Sequence, residues 1–184
     1  MAWGLGLHSP MGGAGRTKRE GDGCTPAGVF GLPAIFGQPE LLSEFASSLK
    51  LPYLSATSDL KCVDDPESCH YNQIIQAQGA DNQDWSSHEE MLRRDDCYRA
   101  GVVIGHNMDC TPGAGSCIFM HVWRDDGITT EGCTAMSYGH MVEICRWLDV
   151  GCNPCLVQLP ALEYRRLREA WDLPLVSDSF LSGR

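Results

Sequence analysis

Two stretches of the chain run apolar over strand lengths. Residues 98–106, YRAGVVIGH, and residues 116–123, SCIFMHVW, are rich in β-branched and aromatic side chains and are bounded by glycines and by Thr111-Pro112. Both are predicted strands, able to pair as a hairpin with a long connection. Val29-Phe30, after Gly-Asp-Gly and Thr-Pro turns, predicts a shorter strand. Helical spacing appears three times. Leu41, Leu42, Phe45, Ala46 and Leu49 mark residues 39–50, closed by Pro52. Ser137 caps a second helix reaching about residue 150, with Met141, Ile144, Cys145 and Leu148 on one face. Residues 161–171 form a charged last helix, after a turn at 152–155 and a strand at 156–159. Residues 58–88 read as an elaborated loop carrying one strand at 71–75, and Ser87 as the cap of a helix ending near Arg94. Residues 1–15 look poorly ordered and residues 176–184 a flexible tail. One domain, 16–175, lies between them. The pattern predicts a mostly β, α+β domain with helices on its flank.

Composition narrows the field. With 184 residues, 43% of them apolar, the chain has material for an ordinary core. A net charge of -10, without a run of Lys/Arg, argues against a nucleic-acid partner. No window approaches the roughly 20 apolar residues of a membrane span, and the opening MAWGLGLHSPMGGAGR lacks a basic start followed by an apolar core. A start placed too far downstream would account for a missing export leader. Ten cysteines are many for a reducing cytosol, so some disulfides in an oxidising compartment are expected, with connectivity left open.

The candidate chemistry lies in residues 113–136, GAGSCIFMHVWRDDGITTEGCTAM. A cysteine acts as thiolate and needs a base beside it. His121 supplies one if the turn at Asp125-Asp126-Gly127 returns the chain to the same sheet edge, bringing Cys133 alongside. Gly132 allows a tight turn that presents successive N–H groups, which suit an oxyanion. Thr129 and Thr130 add hydroxyls. The plain alternative is a strand-end histidine and one small buried thiol among ten.

GSCIFMHVWR followed by TTEGCTAM resembles the signature of the L,D-transpeptidase catalytic domain, in which a strand-borne His precedes a Ser/Thr-x-Gly-Cys turn. Residues 16–36, RTKREGDGCTPAGVFGLPAIF, are similar to the approach segment of that family. VDDPESCHYNQII and DWSSHEEM resemble its long-loop branch. The likeness covers about residues 16–160 and implies a sandwich or barrel-like β domain working outside the cytoplasm, in the periplasm or beyond, on bacterial cell wall.

By that resemblance Cys133 is the acyl-accepting nucleophile and His121 its base. Thr130, Glu131 and Gly132 shape the backbone oxyanion hole, and the Val122 carbonyl orients the imidazole. Three departures stand out: the gap from His121 to Cys133 is shorter than in the commoner members, Glu131 replaces the usual His, and Ala135 the usual Arg or Asn. Arg124 is then the candidate for the substrate carboxylate, and Trp123 for the groove wall. The implied reaction is thioester formation on a peptidoglycan tetrapeptide stem, then 3→3 crosslinking by an amine, by a monomer without cofactor or metal. Water as acceptor gives an L,D-carboxypeptidase, and a disulfide-stabilised wall-binding module without chemistry is the competing class.

Cys152-Asn-Pro-Cys155 is a lone CxxC lacking the second spaced pair of a structural zinc site. With Cys145, or with Cys69-His70, it makes only a weak metal signal. His106, His140, His88, His70 and His8 read as surface or satisfied histidines.

Overall fold

The structure, a computed structural model, describes residues 1–8, 15–45, 48–77 and 83–181. Eleven short strands and four helices follow in chain order among them. The first group is β1 (Ala2–Trp3), β2 (Pro26–Gly31), β3 (Ile35–Gly37), α1 (Pro39–Phe45) and β4 (Tyr53–Ser55). Next come β5 (Leu60–Val63), β6 (Ile74–Gln76), β7 (His88–Glu90), β8 (Ala100–Val103) and β9 (Phe119–Val122). The chain ends with β10 (Thr134–Met136), α2 (Tyr138–Trp147), β11 (Cys155–Gln158), α3 (Ala161–Leu167) and α4 (Asp178–Leu181). This is a mostly β, α+β fold with flanking helices, as the pattern predicts.

A five-stranded sheet in the order β10-β9-β8-β3-β4 forms the centre. Strands β8 and β9 pair antiparallel, so the two strongest sequence segments do form the expected hairpin across a long connection. Period-two alternation divides their side chains between two cores. Val102 and Met120 face one way, onto α2 with Met141, Val142, Cys145 and Leu148. Phe119 faces the other way, joining Phe36, Met91, Cys97, Tyr98 and the Cys62–Cys117 disulfide. Gly101 must be glycine, because an added Cβ would lie 2.2 Å from the Phe36 ring. Helix α2 starts as predicted, with the Ser137 hydroxyl accepting from the His140 N–H.

Two smaller sheets flank this one. The order β1-β2-β11 carries α3 on a core of Trp3, Val29, Tyr164, Leu167 and Trp171. The order β6-β5-β7 covers the second core.

Several expectations need correction. Residues 58–88 hold more than the one strand predicted: β5 and β6 pair within them, and β7 begins at His88. Each strand is only three or four residues long, too short for its alternation to register. The helix expected from Ser87 is instead β7, because Val63, Cys62 and Lys61 offer backbone partners to His88, Glu89 and Glu90. The opening is not uniformly loose, since Ala2 and Trp3 form a buried strand against Pro26 and Ala27; residues 9–14 lie outside the described residues. The tail contributes α4, with Val176 and Leu181 packed on the third core. The first predicted helix is described as far as Phe45, and residues 46–47 lie outside the described residues. The last helix is regular only to Leu167, with turns beyond it. Among the described residues no helix is long and apolar enough to cross a membrane.

Candidate active site

The segment 123–133 leaves β9, turns at Asp125-Asp126-Gly127 and returns as β10 on the same edge of the sheet. Gly127 has φ +85° and the Ile128 N–H reaches the Asp125 carbonyl at 3.3 Å. The return is parallel to β9, with Thr134 opposite Met120 and Ala135 opposite His121. Continuing that register sets Cys133 beside Phe119, two residues from His121 and on the same face. Ordinary strand spacing then separates the two Cα atoms by roughly 8 Å, within reach of their side chains across a cavity.

Gly132 makes this turn possible. Its φ is +135°, and an added Cβ would meet the Cys24 carbonyl oxygen at 3.2 Å and Ile118 at 3.3 Å. The Thr130 hydroxyl donates to the Cys133 carbonyl at 2.6 Å and closes the loop from the other side.

Cys133 is half-buried as a residue, but its sulfur turns inward. The Phe119 N–H donates to Sγ at 3.4 Å, and the Cys117 carbonyl lies 3.7 Å away. Burial pushes the thiol up to about 12, with the Phe119 N–H opposing the shift and the Glu89 carboxylate adding to it. The resting sulfur is therefore a thiol at neutral pH, and it needs a proton acceptor to react.

His121 is 8% exposed. Its Nδ1 lies 2.8 Å from the Val122 carbonyl oxygen, the contact that the family resemblance implies. A carbonyl can only accept, so Nδ1 carries the proton and the neutral ring keeps Nε2 as the basic nitrogen. Burial lowers the imidazole below its ordinary value, opposed by that hydrogen bond. Among the described residues no hydrogen bond joins the two candidates. They meet instead as walls of one cavity of about 650 Å³.

Trp123, Arg124, Thr130 and Glu131 line the same cavity, as does Ala135. Arg124 is exposed and donates to Asp95 at 2.8 Å, so the proposed carboxylate ligand is already paired at the rim. Sequence reading missed a closer cation. Arg93 reaches the same Asp95 through two bonds of 2.9 and 2.6 Å, comes within 3.7 Å of Glu89, and lies over the Tyr98 ring at 5.0 Å. Tyr98 in turn stands edge-on to His121 at 5.3 Å. The Arg93 guanidinium holds the Asp95 carboxyl well below the usual carboxylate range. Burial raises Glu89, partly offset by Arg93.

Arg93 was hidden within a predicted helix, and nothing local marks it as a cavity residue. The cavity as a whole is mixed in charge: Lys18 and the two arginines face Glu20, Asp64, Glu89 and Glu131.

The Cys62–Cys117 disulfide belongs to this neighbourhood, because Cys117 supplies the carbonyl beside Sγ. The other eight cysteines, Cys133 included, are free. His106 is a satisfied core histidine: Nδ1 accepts from the Leu5 N–H at 3.2 Å and Nε2 faces the Ala114 carbonyl at 2.9 Å. Comparison with protein-family models, characterised proteins and solved structures gives no match.

Proposed function

We propose that the protein is a cysteine-dependent acyltransferase of the L,D-transpeptidase kind, acting on peptidoglycan stem peptides outside the cytoplasm. The observation that carries this reading is the pairing at one cavity of Cys133, with an N–H donor on its sulfur, and His121, whose basic nitrogen is fixed by the Val122 carbonyl.

In the reaction, His121 Nε2 takes the Cys133 proton as sulfur attacks the carbonyl of the third stem residue. The carbonyl oxygen becomes an anion, and backbone N–H groups of the Gly132-Cys133 turn are its receivers in this reading. The carbon–nitrogen bond to the terminal D-Ala breaks, its amine leaves with the proton from the imidazolium, and a thioester remains on Cys133. An amine from a second stem then attacks the thioester and gives its proton to His121; the carbon–sulfur bond breaks, and the imidazolium passes the proton to sulfur to restore the Cys133 thiol. Arg93 and Arg124 offer charge to the stem carboxylate, and Glu89 and Glu131 to the incoming amine. Burial lowers the imidazole, so the ring is neutral at neutral pH and Nε2 is free to take the thiol proton.

Incubation with disaccharide-tetrapeptide muropeptides, read by mass, tests the reading. The expected products are a crosslinked dimer, released D-Ala and an acyl adduct on Cys133 that disappears in Cys133→Ala. D-Ala without dimer would make the protein a carboxypeptidase using the same pair. No D-Ala and no adduct would leave a wall-binding module.

A further inference from the structure

A second cluster lies away from the cavity, on the loops around the β6-β5-β7 sheet. Cys69 Sγ, a ring nitrogen of His70 and a carboxylate oxygen of Asp84 all fall within 4.8 Å of one another, and none of these residues lines the cavity. Two neighbours in sequence and one residue fourteen positions on thus converge on one point.

The two loops are pinned together without help from the cluster. Asp65 accepts from both the N–H and the hydroxyl of Ser86 at 2.7 Å. Asp84 is oriented in the same way, accepting from the Ser68 hydroxyl at 2.7 Å and from the Cys69 N–H at 2.8 Å. The Cys69 thiol also donates to this carboxylate, and three bonds still leave a lone pair unused. The His70 ring is set edge-on by Trp85 at 5.8 Å, and its nitrogens make no hydrogen bond among the described residues. Cys69 and Asp84 are exposed, so an ion has open access.

We propose that Cys69, His70 and Asp84 form a binding site for a divalent zinc-like cation, with the fourth position left to water. Thiolate, imidazole and carboxylate are the donors zinc accepts, at about 2.0–2.3 Å in a tetrahedron, so the three atoms need only close inward by about 1 Å. A harder ion such as magnesium or calcium would prefer oxygen alone. On binding, the Cys69 thiol loses its proton to solvent and sulfur bonds to the metal; no electron is transferred. The two anionic ligands then balance the ion's charge. The Ser68 hydroxyl and Cys69 N–H that orient Asp84 complete the outer shell. A bound ion would tie segment 65–70 to segment 84–86, just ahead of β7, which carries Glu89.

Cobalt(II) titration of the metal-free full chain under anaerobic conditions tests the site. The expected result is one equivalent per chain, with tetrahedral d–d bands and a near-ultraviolet thiolate charge-transfer band, displaced by zinc. Asp84→Asn, which keeps the loop's hydrogen-bonding shape, and His70→Ala each weaken binding at least about tenfold. Cys69→Ser removes the charge-transfer band. Cys152→Ser/Cys155→Ser leaves binding unchanged. Zinc also slows iodoacetamide modification of Cys69, mapped by mass, and spares the rate at Cys155. Absent binding, equal binding by the Asp84 and His70 variants, or protection that falls on Cys152 and Cys155 would each overturn the proposal. The cavity's chemistry is independent of every one of these results.

Discussion

Cys133 and Cys145 carry the same electrostatic signature in different surroundings. Burial pushes both thiols up to about 12. Cys145 is 1% exposed on the inner face of α2, among Met141, Leu148 and the aliphatic residues of the sheet. Cys133 sits just ahead of the edge strand β10 at a cavity wall, with a backbone N–H on its sulfur and, by continued register, a histidine two positions away on the same face. A raised thiol therefore reports only desolvation. Access, a base of fixed tautomer and a turn that only glycine can make separate a candidate nucleophile from a core residue.

The sharpest contrast comes from paired substitutions. Cys133→Ala is expected to abolish acyl transfer and adduct formation, and His121→Ala to lower kcat about 10²–10⁴-fold. Cys145→Ala should leave turnover unchanged, costing only stability through the space it opens. Activity that survives Cys133→Ala would erase the distinction.

Next in size is the disulfide. It closes a span of 55 residues, and the chain-entropy relation gives roughly 4 kcal/mol for such a loop. Cys62→Ala/Cys117→Ala should lower urea stability by about that amount. It should also free the Cys117 carbonyl and Phe119 N–H, so that Cys133 is alkylated faster while transfer slows. Cys145 reactivity should not move below the unfolding transition. Equal acceleration at both thiols would mean general loosening rather than a local hold on Cys133.

Gly132→Ala isolates the turn. A side chain at φ +135° against the Cys24 carbonyl should cost about 1–3 kcal/mol. Turnover should fall by more than the stability loss explains, because Cys133 shifts with the backbone. Gly139→Ala meets no atom within 4 Å and serves as the control.

The smallest effects are those of pH. His121 and His106 are both lowered by burial, so the unfolded chain binds more protons than the folded one near pH 6. Their contribution is complete above the ordinary histidine value of about 6.5 and is lost as pH falls below it. Chemical denaturation between pH 7 and pH 5 should show that decline, flattened in part by His106→Gln with turnover unchanged. At the alkaline end the sign reverses. Both raised thiols favour the folded, protonated form, so stability should fall as pH climbs from about 9 toward 12, and Cys133→Ala and Cys145→Ala should each remove part of that loss. A profile insensitive to both substitutions would remove burial as the cause.

The chain by itself determined the hairpin of β8 and β9, the capped α2 and the glycine turn before Cys133. Each depends on local rules: period-two alternation, a Ser cap with a 3.6-residue stripe, and a conformation that few side chains tolerate. It also put His121 and Cys133 on one strand edge, because the connecting loop is short and turns at Asp-Asp-Gly. The resemblance of that stretch to L,D-transpeptidases supplied the Val122 carbonyl contact. Only tertiary structure decided that residues 88–90 are a strand and that Arg93 and Tyr98 back the histidine. It alone decided that Cys62 joins Cys117 and that Cys69, His70 and Asp84 converge. The physical reason is the same each time. These partners lie 15 to 55 residues apart or in strands of three residues, where no local periodicity carries the information and only the pairing of distant backbone and the burial of distant side chains selects the arrangement.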